Sequence, residues 1–241
     1  IKGQLSDVCS RIVLKILFFA RIARPHLLAS VNTLAREVTR WTAACDERLL
    51  RLISYIHCTK HWVLKCFIGD APEHLKLAVY ADASFAGDTK DSKSTSGGIL
   101  CLVGPRTFVP LNWICKKQSA VSHSSTEAEI IALEALMRME GLPMLNLWSQ
   151  VLQTFNPPSA TQGQNASSFD DAIKRYDTIS FDSIDYVPAA LPVQDPNCRL
   201  VMVEDNDAVI KMLQKGRAPN MAHVARTHRV NLDWLLERSI N

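Results

Sequence analysis

The chain has 241 residues, 47% of them hydrophobic and 21% charged, with a formal net charge of +3. That length and apolar content describe a globular protein able to bury one sizeable core and a second, smaller unit. The most apolar stretch, "IVLKILFFARIA" at 12 to 23, is interrupted by Lys15 and Arg21 and is shorter than the ~20 residues a membrane helix needs, so it reads as a core helix and no membrane partner is expected.

The first 60 residues carry helical spacing. Leu27, Val31, Leu34 and Val38, then Leu49, Leu52, Ile53 and Ile56, recur every three or four positions and predict two or three amphipathic helices. Residues 1 to 70 hold 11 Lys and Arg against 5 Asp and Glu, and residues 211 to 241 hold 6 against 2, so both ends are suited to an anionic polymer. "HWVLKCFIG" (61 to 69) is predicted as a strand, followed by turn chemistry in "DAPEH". From Leu75 the period becomes two: Leu77, Val79 and Ala81 lie on one face, with Lys76, Ala78, Tyr80 and Asp82 on the other.

"GGILCLVG" (97 to 104) and "TFVPLNWIC" (107 to 115) extend this into an antiparallel meander. A long helix follows from "SHSSTEAE", where Ser124 caps with Glu127 three residues on, and Thr126 with Glu129 offers a second such pair. Pro143 is expected to kink or split that helix. Residues 156 to 197, with 6 acidic residues against 2 basic and many Pro, Ser and Gln, read as an irregular insertion. Beyond it, "RLVMVEDND" is a strand ending in acid, "DAVIKMLQKG" a helix closed by Gly216, and "THRVNLDWLLERS" a last helix. The order β-β-β-α-β-α-α gives an α/β fold with a mixed sheet flanked by helices.

Seven cysteines, an odd number without any C-x-x-C pair, argue against a disulfide framework or a zinc ribbon and make a reducing compartment the default. None has a base and an orienting group beside it in sequence, so nucleophilic catalysis is a poor reading. Trp113, Trp148 and Trp234 lie among apolar residues and read as core. The sequence begins at Ile1 with no charged-then-apolar leader, and reads as a piece of a longer translation product.

Three acids stand at structural transitions: Asp82 at a strand end, Glu127 in the first turn of the long helix, and Asp205 after the later strand. Carboxylates gathered in one place repel unless a cation neutralises them, and hard oxygen donors suit Mg²⁺ or Mn²⁺. The words around them, "YADASFAGD", "KSTSGG", "KKQSAVSHSSTEAEIIAL" and "EDNDA" in that order, resemble the ribonuclease H domain of copia-type retrotransposon polyproteins. Upstream, "ARPHLLASVNTLAREVTRWT" and "DERLLRLISYIHCTKHWVL" look like the tail of the reverse transcriptase in the same polyproteins.

The resemblance implies a reverse-transcriptase tail over residues 1 to 70 and a ribonuclease H-like domain over 71 to 241. It implies an endonuclease that cuts the RNA strand of an RNA–DNA hybrid during reverse transcription, in cytoplasmic particles, with the polymerase part of the polyprotein as its partner. No Tyr-x-Asp-Asp polymerase motif occurs. Position by position, the family's metal-binding acids fall on Asp82, Glu127 and Asp205, binding two Mg²⁺ (Mn²⁺ as a substitute). The fourth position, Asp in the family, is Asn231 here, and Asp233 lies about 200° further around a helix. Asn231 offers a neutral carbonyl, which raises the alternative of a catalytically impaired binding module or a decayed element. Ser84 is implied in reading the 2′-hydroxyl, and Lys116, Lys117, Arg226 and Arg229 in tracking phosphates. His223 and His228 read as surface histidines.

Overall fold

A computed structural model describes residues 1–87, 91–155, 198–216, 221, 223–228 and 230–240, with the side chains of 225 and 237–240 left aside. The 156 to 197 insertion and Arg229 lie outside the described residues. Three helices open the chain: α1 (Cys9–Ile22), α2 (Leu28–Arg36) and α3 (Ala43–Cys58). Strands β1 (Lys76–Ser84), β2 (Thr95–Gly104) and β3 (Thr107–Lys117) form the expected meander, and β4 (Leu200–Val203) adds to the other edge of β1 in parallel, giving the order β3-β2-β1-β4. The sheet is therefore mixed, as the element order predicts.

Helix α4 (Ser125–Leu136) lies on the sheet. Ser124 caps it, its hydroxyl accepting the Glu127 N–H at 3.1 Å. The long helix is interrupted just before Pro143, Met137–Gly141 forming a π-turn closed by the Leu142 N–H on the Met137 carbonyl, and α5 (Leu142–Phe155) continues. A widened turn is one way to absorb the missing proline N–H. The C-terminal helices are α6 (Asp207–Lys215), α7 (Val224–His228) and α8 (Leu232–Ile240). Gly216 ends α6 at φ 61°, the left-handed cap for which glycine has no Cβ penalty. No helix of the described residues is long and apolar enough to cross a membrane.

Two cores result. One lies between the sheet and the helices of the second half: Leu77, Val79, Leu100 and Leu102 against Ile130, Leu133 and Leu136, with Val209 and Leu235 closing it. The other is helical, with Cys9, Val13, Val31, Leu34 and Leu49 packed together. Trp113 of β3 joins the second, its indole N–H donating to the Ala20 carbonyl at 3.0 Å, and Asn32 donates to the Cys115 carbonyl at 2.8 Å. Trp113 is thus core, as its setting predicts, but in a cluster built by residues far upstream.

One expectation fails and another holds on one face only. Residues 61 to 69 are not a strand; they form one bridge, Phe67 to Phe108, and leave Trp62, Val63, Phe67 and Ile68 exposed. With only one edge of β3 to pair with and no residue buried beneath it, the segment lacks the two-sided contact that holds a strand. The apolar stretch at 12 to 23 is a core helix on one side only: Val13 and Ala20 are buried, whereas Leu14, Phe18 and Ile22 face solvent.

Gly98 of β2 faces α4, where a Cβ would come 2.6 Å from the Leu136 Cδ2. Gly98→Ala is expected to cost about 1–3 kcal/mol by overpacking, read as a lower urea midpoint at unchanged m-value. An unchanged midpoint would show that Leu136 can yield.

Candidate active site

Asp82 leaves β1 at the end where the sheet opens to solvent, and it is exposed. Its cross-strand neighbour is Gly97, where, among the described residues, an added Cβ would meet only the Asp82 carbonyl oxygen at 3.7 Å. The parallel pairing of β1 with β4 ends at Tyr80 and Val203. Two positions beyond that rung stand Asp82 on one strand and Asp205 on the other, with Glu204 between Val203 and Asp205. Topology alone brings these acids to one end of the sheet.

Helix α4 supplies the next carboxylate, and it is Glu129. Ala128 and Ala132 pack on Ala83, and these small side chains let the helix approach the end of β1 closely. The Glu129 carboxylate accepts a hydrogen bond from the Ala83 backbone. Burial, and then the charges of Glu204, Asp82 and Asp205, push its pKa up to about 7. Glu204 is raised also, first by burial and then by Asp205 and Asp82, with the Asn206 and Asp205 N–H groups acting in the opposite sense. Glu129 Oε2 and Glu204 Oε2 are both buried without a hydrogen-bond partner among the described residues. Such a group holds negative charge at a cost unless a cation joins it.

The structure does not bring Glu127 into this group. Its carboxylate turns back along the helix start: Oε2 accepts the His123 backbone N–H at 2.8 Å and lies 3.4 Å from His223 Nε2, while Oε1 lies 3.0 Å from His228 Nε2. His228 is buried, contrary to its reading as a surface residue, and His223 is exposed. Asn231 is exposed at the start of α8, where its side-chain carbonyl accepts the Trp234 N–H at 3.0 Å and acts as a helix cap.

Three of the polar residues expected to meet nucleic acid, Ser84, Lys116 and Lys117, fall at the same end of the sheet. Ser84, Thr95 and Lys117 share one rung across β1, β2 and β3, and Lys116 is on the adjacent rung. Lys116 is exposed, while Lys117 is held by Asp91 at 2.7 Å. Arg226 is exposed on α7. Beside this end runs a cleft of ≈ 760 Å³ between the sheet and helices α2 and α3, lined by Ser84 and Thr95 on one side and by Arg36, Arg48 and Arg51 on the other. Its lining is largely basic and hydroxylic, with Glu37 and the apolar Leu27, Leu34 and Leu52 among it.

No protein-family model matches the chain. It is 33% identical over 118 residues to the secreted RxLR effector protein 161 of Plasmopara viticola, a match covering 49% of this chain and 78% of that protein. It is 35% identical over 111 residues to the retrovirus-related Pol polyprotein from transposon RE2 of Arabidopsis thaliana, and 33% identical over 111 residues to that from transposon RE1. Each of these matches covers 46% of this chain but only 7% of the polyprotein.

Proposed function

The chain belongs to the family of the secreted RxLR effector protein 161 and is related to a region of copia-type retrotransposon Pol polyproteins, and from this premise we propose a metal-dependent ribonuclease H that cuts the RNA strand of RNA–DNA hybrids. The carrying observation is the meeting of Asp82, Glu129, Glu204 and Asp205 at one end of a mixed sheet, with two buried carboxylate oxygens that have no hydrogen-bond partner among the described residues. That donor set is all oxygen and strongly anionic, so the residues fit Mg²⁺ or Mn²⁺. When bound, such ions supply Lewis acidity to a phosphodiester and acidity to a water.

The protein's own part is positioning. The Ala83 backbone holds Glu129, and the Asn206 N–H holds Glu204 Oε1 at 3.2 Å, which leaves each carboxylate one oxygen for a ligand. Glu129 takes the place that the sequence words offered to Glu127, and Glu204 supplies the carboxylate that Asn231 lacks. Lys116, Arg226 and the arginines of the cleft would track phosphates, and Ser84 would read the 2′-hydroxyl two residues from Asp82. The exposed strip Trp62, Val63, Phe67 and Ile68 would face the polymerase part of a polyprotein.

The test is cleavage of a labelled RNA–DNA hybrid by the full chain in Mg²⁺ and then Mn²⁺, beside Asp82→Asn. The expected result is RNA-strand cutting that falls at least about a hundredfold in the variant, the scale of several kcal/mol of charge stabilisation lost. Hybrid bound but left intact by the parent would favour the non-catalytic module. Neither binding nor cutting would remove the nucleic-acid reading altogether.

A further inference from the structure

We propose that His123, Glu127 and His223 form a second metal site, separate from the Asp82 group and suited to Zn²⁺. One ligand atom from each of the three lies within 4.8 Å of the other two. The His123 and His223 rings meet edge to face with centroids 5.4 Å apart, and both project from the surface while Glu127 is 1% exposed. Two imidazoles and one carboxylate are a donor set of intermediate softness, which Zn²⁺ accepts and Mg²⁺ does not favour.

Two features go beyond three residues that happen to be near one another. The first is an unmet need at the buried end. Glu127 Oε1 and both ring nitrogens of His228 are buried with no hydrogen bond, although His228 Nε2 is 3.0 Å from that oxygen. A cation drawing Glu127 Oε2 toward the two exposed histidines would let Oε1 settle on His228, the arrangement in which an outer partner orients a ligating carboxylate. The second is access. His123 and His223 lie at the surface, so the ion has an entry path and a fourth position open to water. The site would join the turn before α4 to the start of α7, two segments already linked by the contacts of Glu127 with His223 and His228. A bound ion would fasten the basic helix carrying Arg226 to the helix carrying Glu129.

The inference does not rest on the nuclease reading. Its test uses the full, metal-free chain with Co²⁺ as a spectroscopic stand-in for Zn²⁺, in excess Mg²⁺ to occupy the Asp82 group. The expected result is one equivalent of tetrahedral Co²⁺, seen by its visible d–d absorption, displaced by Zn²⁺ and lost in the His123→Ala/His223→Ala double variant. Both of these side chains are exposed, so the variant keeps its fold, which circular dichroism checks. Glu129→Gln, which disables the other group, is expected to leave the Co²⁺ spectrum in place. Absorption that persists in the double variant, or that carries thiolate charge-transfer bands from Cys58 or Cys66, would overturn the assignment, as would the absence of a tetrahedral spectrum in the parent.

Discussion

Glu129→Gln is expected to lower hybrid cleavage at least about a hundredfold and, in the absence of divalent ions, to make the fold more stable at pH 8 by on the order of 1–2 kcal/mol, the raised pKa being discounted for solvent screening at this end of the sheet. The second half follows from the raised pKa. Below the ordinary carboxyl value of 4.5 the group is protonated in both folded and unfolded chains, and the variant differs little from the parent. Between 4.5 and about 7 the unfolded chain sheds the proton first, which favours unfolding; above about 7 the deficit is complete. Parent stability attributable to this group is therefore present at low pH and lost as pH rises through that window, and the glutamine removes the loss. Urea unfolding of both proteins from pH 4.5 to 8 reads it directly. Mg²⁺ is expected to restore the parent and leave the variant unmoved. Parallel pH profiles would mean that Glu129 does not share a field with Asp82, Glu204 and Asp205, and the site would lose its central argument.

Trp113→Ala carries the largest expected cost in stability, about 3–5 kcal/mol, the range for deleting a buried aromatic. The indole is 7% exposed, sits in the helical cluster, and gives its N–H to Ala20. Because it is the buried strand-side member of that cluster, with Cys115 packed beside it, its loss is expected to do more than shift a midpoint. Helices α1 to α3 should melt in an earlier, separate step, visible as two phases in far-ultraviolet circular dichroism where the parent shows one. A single transition with an unmoved midpoint would show that the Asn32 to Cys115 contact and the remaining cluster suffice to hold the halves together.

The meander, the long helix with its Ser124 cap, the strand ending in acid and the Gly216 stop were legible because each has a local cause: period-two patterning, a hydroxyl before a run of helix formers, a glycine where φ must be positive. The 61 to 69 segment misled for the same reason, since its apolar residues have strand composition but no partner face. Within α4 the pattern gives little help. Glu127, Ala128, Glu129, Ile130, Ile131, Ala132, Leu133 and Glu134 are all buried, so no exposed stripe marks a face. Glu127 attracted attention as the first acid of the conspicuous word, yet a helix start explains it locally. Glu129 is the more informative residue: with Ser124 as the cap, its pairing with Thr126 is not the helix start, and an acid followed directly by an apolar buried run then has no local role. Glu204 was hidden by its neighbour Asp205, and its charge reaches Glu129 beside those of Asp82 and Asp205 only once β4 lies next to β1.

The β1 to β4 pairing also sets the order in which the molecule can come together. Roughly 120 residues separate the two strands, whereas β1, β2 and β3 close through short turns, and contacts of such long sequence separation form late and slowly. The meander and α4 can therefore assemble with Asp82 and Glu129 alone, at modest electrostatic cost. Glu204 and Asp205 arrive with the last strand and bring most of the repulsion with them. Folding in low salt without divalent ions should stall at that final docking step, and the same ions proposed for chemistry would act earlier, as the partner that lets the sheet close.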